Sequence, residues 1–231
     1  DVLIIIGPQS SKQAVPAGDV ANNYETPMIS PWSTNPATTA DRPFVFRGCF
    51  LDPFQGPVLA NFITEEFGFT KAAVLYDVAS DYPKGLAEFF KAAWEEKHGE
   101  GSVVAYESFT TKDTDFSSQL TKIIRSGAEV LFTPQYYNEV ALIVNQAKDL
   151  GWDKPIVGSD SWGSAETVEL CGEACYGSFS PPTMPPPAPR VPPRSSSTAT
   201  MRNMVMCPMM SPPLPGIRWV SPRPPSRGPV S

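Results

Sequence analysis

Five short loops of this sequence carry side chains able to grip a small zwitterion. Gly7-Pro8-Gln9-Ser10-Ser11 follows the apolar run that ends at Ile6, and Ser30-Pro31-Trp32-Ser33-Thr34 follows Ile29. Asp77 and then Tyr82 follow Tyr76, Tyr136 follows Thr133, and Asp160 follows Gly158. Hydroxyls and backbone amides at helix starts hold a carboxylate, a carboxylate such as Asp160 holds an ammonium, and aromatic rings enclose an apolar side chain. The candidate binding residues are therefore Ser10, Ser11, Trp32, Ser33, Thr34, Tyr82, Tyr136 and Asp160. Taken singly each has a plainer reading. The hydroxyls serve as caps or turn residues, the tyrosines as half-buried rings, Asp160 as a helix cap and Trp32 as core. Their convergence on five consecutive strand ends favours a site.

The same residues do not assemble an enzyme. His98 is the only histidine, and Lys97-His98-Gly99 places it at a helix end, as a solvated tip rather than a general base. No Ser/His/Asp or Cys/His arrangement forms without it, which leaves only the carboxylates Asp77 and Asp160 for acid–base work. Gly7 to Lys12 lacks the glycine before the lysine that a phosphate loop needs, and no G-x-G-x-x-G occurs. Cys171 and Cys175 stand four apart with no histidine nearby and no second cysteine pair, which argues against zinc. A short disulfide and two reduced core thiols both remain open for them. No cofactor and no metal are expected.

The elements that position these loops follow from periodicity. Ala72 to Tyr76, Ser102 to Glu107, Val130 to Thr133 and Pro155 to Gly158 read as strands. Between them Leu86, Phe89, Phe90 and Ala93 share a helical face, as do Phe116, Leu120, Ile123 and Ile124, and then Val140, Ile143, Val144 and Ala147. Gly99, Gly127 and Gly151 fall just past these stretches, where glycine takes the left-handed conformation, and Thr114 or Asp115 can cap a start. Such alternation predicts right-handed crossovers and a parallel sheet covered on both faces, an α/β fold. Upstream, residues 1 to 50 offer a strand at Val2 to Ile6, a helix through Ala14 to Tyr24 and a strand at Pro27 to Ser30, too little to close a sheet alone. In open parallel sheets ligands bind beyond the carboxyl ends of the strands, where the five loops lie.

Composition divides the chain. Residues 181 to 231 hold 16 of the 27 prolines, six arginines, no lysine and no acidic residue, leaving residues 1 to 180 with 12 Lys+Arg against 24 Asp+Glu, a net charge of −12. So acidic a body does not suit nucleic acid, whose phosphates need clustered Lys and Arg. No apolar run approaches the roughly 20 residues that span a bilayer. Asp1 stands directly before Val2-Leu3-Ile4-Ile5-Ile6, a buried-looking run without Met or signal pattern, so the start reads as a cut.

The run Pro27-Met28-Ile29-Ser30-Pro31-Trp32-Ser33-Thr34-Asn35-Pro36, then Phe44-Val45-Phe46-Arg47 and Asp52-Pro53-Phe54-Gln55-Gly56, resembles the branched-chain amino acid binding proteins of ABC importers. Ala73-Val74-Leu75-Tyr76-Asp77, Asp81-Tyr82-Pro83-Lys84-Gly85-Leu86, Asp113-Thr114-Asp115-Phe116-Ser117 and Tyr136-Tyr137-Asn138-Glu139 are similar to later blocks of that family in the same order, out to about residue 179. The resemblance implies a type I periplasmic binding fold of two Rossmann-like lobes, with residues 1–51 as part of the first lobe and 52–179 as the second. It implies an extracytoplasmic or periplasmic protein that captures a small amino acid or a related amide or urea and hands it to a membrane permease. A ligand-sensing domain of the same fold is the alternative. By resemblance Ser11, Ser33 and Thr34 hold the carboxylate, Tyr82 and Tyr136 line the second wall, and Asp160 anchors the ammonium. Trp32 stands where small residues are common, and Asp160 is one carbon shorter than the acid usual there.

The tail departs from the family, which has two further strand–helix units before Val2 and a return to the first lobe after about residue 179. Met204-Val205-Met206-Cys207-Pro208-Met209-Met210 fixes much of its coding DNA, and read one base earlier the stretch from Asn203 to Ser221 can spell YGYVPDDVAALTWDSVGL, which looks like that return. A frameshift near Ser178 to Pro182 is therefore expected, leaving 180–231 as a disordered tail. A natural proline-rich linker of this composition would equally lack a core.

Overall fold

The computed structural model describes residues 2–181, and the expectations for the tail from residue 182 onward lie outside them. Two parallel sheets form. The first joins β1 (Ile5–Ile6), β2 (Met28–Ser30) and β3 (Val45–Arg47) in that order, with α1 (Ser11–Asn23) crossing between β1 and β2. The second has five strands in the order β5-β4-β6-β7-β8: β4 (Ala72–Asp77), β5 (Val103–Phe109), β6 (Val130–Phe132), β7 (Ile156–Val157) and β8 (Ser178–Phe179). The crossover helices are α2 (Asp52–Phe67), α3 (Asp81–His98), α4 (Ser117–Arg125), α5 (Tyr137–Asp149) and α6 (Ala165–Cys171).

The larger sheet is sandwiched as the alternation of its strands requires. Ala73, Leu75, Leu131 and Ile156 face α4 and α5, whose Leu120, Ile123, Val140, Ile143 and Val144 bury against them. Ala72, Val74, Val130, Phe132 and Val157 face the other way, onto Leu59 and Ile63 of α2 and Leu86, Phe90 and Trp94 of α3. Successive strand residues point to opposite faces, so a strand buried on both sides is apolar throughout. The α2–α3 contact is close because Gly56 lacks a side chain: a Cβ there would lie 2.8 Å from the backbone of Phe89 and Phe90. This contact sets the first turns of the two helices, which carry Gln55 and Tyr82, side by side under the site.

All four strands expected in the larger sheet are present, each within two residues of its expected ends. Strands β3 and β8 and helices α2 and α6 do not follow from the periodicity. Pro53 and Pro57 obscured α2, although proline is tolerated in the first helical turn, where Pro53 sits; Pro57 lies inside the helix, and β3 is only three residues long. Gly99, Gly127 and Gly151 all have positive φ. The cap of α4 is Phe116, and Asp115 sits one residue outside, accepting from the Ser117 N–H at 2.9 Å.

Two expectations are corrected. The run Val2 to Ile6 is not buried: Leu3 is 87% and Ile6 78% exposed, because among the described residues one face of this sheet has no cover, and only Ile5 packs on the small cluster of Ala21, Met28 and Val45. His98 is not a free tip. It packs on the Trp94 ring with centroids 4.5 Å apart and bonds Thr64 Oγ1 through Nε2 at 2.8 Å, and burial followed by Lys97 lowers its pKa. Cys171 and Cys175 are joined in a disulfide. Among the described residues no helix is long and apolar enough to cross a membrane, and no cluster of His, Cys, Asp and Glu is arranged to hold a metal.

Candidate functional site

A cavity of about 520 Å³ opens between the carboxyl ends of the two sheets. Gln9, Ser10, Ser11 and Trp32 line it from the loops after β1 and β2; Tyr82, Tyr136 and Asp160 line it from the starts of α3 and α5 and the turn after β7. Six of the eight sequence-derived candidates therefore share one space. Ser33 and Thr34 do not line it and are fully buried beneath its floor.

Ser33 reaches the cavity through Ser11. Its hydroxyl donates to Ser11 Oγ at 2.9 Å and meets Thr38 Oγ1 at 2.5 Å, so with one proton to give it must accept from Thr38. The relay Thr38 to Ser33 to Ser11 leaves the Ser11 proton for whatever occupies the cavity, and each bond polarises the next. Ser30 Oγ anchors the relay by donating to Pro8 O at 2.6 Å and accepting from Ser33 N at 3.2 Å. Ser10 and Ser11 also open α1, whose first N–H groups have no intrahelical partner and carry the positive end of the helix dipole. That end of the cavity presents a hydroxyl and the positive end of a helix.

The opposite end holds Asp160, only 5% exposed. Tyr82 Oη donates to its Oδ1 at 2.5 Å and Gln55 Nε2 donates to the same oxygen at 2.9 Å. Burial raises the Asp160 pKa and these two bonds oppose the rise. Burial likewise pushes Tyr82 well above its ordinary value, Asp160 adding to it, and pushes Tyr136 up to about 12. Both phenols are thus neutral at physiological pH. None of the residues lining this cavity is Lys or Arg. The Tyr82 and Tyr136 rings lie 5.5 Å apart, and Trp32, 40% exposed, supplies a third aromatic surface.

The turn carrying Asp160 is pinned elsewhere too. Ser161 Oγ donates to Gln135 O at 2.6 Å and Trp162 Nε1 to Thr133 O at 3.2 Å. Gly158 lies beneath the Trp162 ring, where a Cβ would come within 2.0 Å of it. Three side-chain bonds tie the two sheet regions together across the cleft: Ser10 Oγ with Tyr136 Oη at 3.0 Å, Lys12 Nζ to Thr111 Oγ1 at 3.0 Å, and Asn35 Nδ2 to Asp81 O at 2.8 Å.

Asp77, one of the two carboxylates that left room for acid–base chemistry, does not line the cavity; it accepts from Ala79 N at 2.8 Å and Thr111 N at 3.0 Å and so fixes the loop after β5. Sequence reasoning missed Gln55, Gln9, Ser161, Gly163 and Ser164. The last three follow Asp160 within one turn, and Gln55 stands three residues after Asp52 on the face of α2 that is buried.

Known proteins share this arrangement. The periplasmic binding protein family matches residues 1–201. A Leu/Ile/Val-binding protein homologue from Brucella melitensis is 33% identical over 77% of this chain and 48% of its own length. The leucine binding protein LivK of Thermotoga maritima superposes with a TM-score of 0.73 at 36% identity, covering 78% of this chain and 50% of that one. LivJ of Streptococcus pneumoniae, a branched-chain amino acid transporter substrate binding protein solved with isoleucine, gives a TM-score of 0.69 at 36% identity over 78% of this chain and 50% of its own. The chain thus spans about half the length of the relatives it matches. On the strength of its sequence, its two parallel sheets and the cleft between them, the chain belongs to the periplasmic binding protein family.

Proposed function

We propose that the cleft captures a small amino acid, branched-chain or related, and that the protein is the extracytoplasmic solute-binding component of an ABC importer, delivering its ligand to the membrane permease. The two sheet regions, residues 1–51 and 52–179, act as the two lobes that close on the ligand. One observation carries the reading: a helix start bearing the Ser11 hydroxyl faces the buried carboxyl of Asp160 across a cavity of about 520 Å³. A zwitterion satisfies both ends, and Trp32, Tyr82 and Tyr136 enclose its side chain. Ser10, Ser11, Ser33 and Thr34 serve the carboxylate end, the last two from beneath. The Leu/Ile/Val names of the relatives point to the same chemistry. Binding without turnover suits the site, since its carboxyl is engaged by Tyr82 and Gln55.

Specificity resides in the apolar enclosure, where one methylene is worth roughly 1–3 kcal/mol. Titration of the chain with leucine, isoleucine, valine, acetamide and urea, by calorimetry and thermal unfolding, tests the reading. Saturable stabilisation by an amino acid is expected, about 2.7 kcal/mol at a hundredfold excess over Kd. No response to any of the five contradicts it.

A further inference from the structure

We propose that Gln55 is a positioning residue of the amino-acid site: its buried side-chain amide clamps Asp160 by two hydrogen bonds and holds that carboxylate toward the cavity as the ammonium anchor. The inference rests on the amino-acid reading above and assigns a role to a residue that lies outside the cavity.

Gln55 lies in the first turn of α2, 3% exposed and 105 residues away from Asp160 in sequence. Its Nε2 donates to Asp160 Oδ1 at 2.9 Å, and its Oε1 accepts from Asp160 N at 3.0 Å. One planar amide therefore grips both the side chain and the backbone of one residue, which fixes the rotamer. The side-chain ties from Ser161 and Trp162 hold the neighbours of Asp160, while Gln55 and Tyr82 both reach its Oδ1. Both donors to Oδ1 are neutral. They orient the carboxylate and leave its charge for a ligand, which an Arg or Lys in either place would cancel.

A glutamate at position 55 would lack the donor and set a second carboxylate against the first. The surroundings sharpen this requirement. Asp52, Cys49, Tyr82 and Tyr136 are the titratable groups around Asp160, and Arg47 lies beyond Asp52. Asp52 is fully buried and neither of its oxygens has a hydrogen-bond partner. Because α2 opens directly after the segment that leaves β3, the clamp also fastens the anchor to the point where the chain passes from one sheet to the other.

The test uses Gln55→Leu and the isosteric Gln55→Glu, titrated with leucine and with 4-methylpentanoate, which keeps the carboxylate and side chain but lacks the ammonium. Positioning predicts that Gln55→Leu weakens leucine about 10- to 100-fold, the worth of a hydrogen bond to a charged group, and leaves 4-methylpentanoate within about twofold. Gln55→Glu is expected to lose leucine at neutral pH and regain it on acidification. A ligand-free readout is the carboxyl carbon resonance of Asp160, assigned with Asp160→Asn, whose titration moves to higher pH in Gln55→Leu as a donor to the ionised form is lost. Equal weakening of both ligands, or no change in either together with an unmoved Asp160 titration, overturns the clamp. A flat isotherm for the unsubstituted protein overturns instead the amino-acid reading on which it rests.

Discussion

In the five-stranded sheet, β4 sends Ala73 and Leu75 to one apolar layer and Ala72 and Val74 to the other, and all four are fully buried. In the three-stranded sheet the registers place Ile5, Met28 and Val45 in one row and Ile6, Ile29 and Phe46 in the next. The first row packs on Ala21 of α1, whereas the second is open, with Phe46 52% exposed. Parallel strands are apolar on both sides because they are normally covered on both sides. Both sheets are written for two covers, and among the described residues the small one has a single cover. The cleft borrows from each: the relay of hydroxyls comes from the half-covered region, and Asp160, the proposed anchor, from the fully packed one.

The largest difference between the regions is expected in stability. Phe90 is fully buried and stacks on Phe132 at 4.2 Å and on Trp94 at 5.5 Å. Phe90→Ala is predicted to cost about 3–5 kcal/mol in denaturant unfolding, from lost transfer energy plus the cavity left behind. A cost under about 1 kcal/mol would mean that the packed half does not govern unfolding.

Asp52 sharpens the comparison, since it stands at the junction of the regions. Burial raises its pKa to about 7; Thr34 and Arg47 pull it back and Asp160 adds to it. Thr34 Oγ1 and both Asp52 oxygens lie outside hydrogen-bond geometry, so the opposing pull is weak and burial wins. Below about pH 4 the carboxyl is protonated folded and unfolded, and contributes nothing. Between about 4 and 7 only the unfolded chain ionises, so stability falls as pH rises, by roughly 1.4 kcal/mol per unit for one proton. Above about 7 the loss is complete. Asp160, also raised, adds in the same sense. Asp52→Asn is predicted to flatten this slope in unfolding measured from pH 4 to 8; an unchanged slope would place its origin elsewhere.

The Cys171–Cys175 disulfide closes so short a loop that its reduction is expected to cost only about 2 kcal/mol of chain-entropy stabilisation. The effect should be confined to the end of α6 in hydrogen exchange. The smallest effect belongs to the open row: Phe46→Ala is predicted to stay within about 0.5 kcal/mol. A cost rivalling that of Phe90→Ala would show that something covers the face.

The larger sheet was legible in the sequence because its helices repeat Leu, Ile and Val at helical spacing over stretches long enough to outvote exceptions. Five strand ends then located Ser10, Ser11, Trp32, Tyr82, Tyr136 and Asp160 without any knowledge of depth. Depth was what could not be read. Ser33 and Thr34 look like Ser10 and Ser11 in a sequence, and only the pairing of β2 beside β1 sinks them below the floor. Gln55 carried no signal, because its partner lies 105 residues away and an amide three positions into a helix is ordinary. The run at Val2 misled for the converse reason: apolar sequence records the cover a strand is suited to, not the cover the described residues provide.

The central claim is that one ligand engages both regions at once. Hydrogen exchange of the chain with and without isoleucine tests it most directly. The account predicts added protection at both walls, in the first turn of α1 after Ser10 and in the turn from Asp160 to Ser164 together with the start of α5. Protection on one wall alone, or on neither, would contradict it.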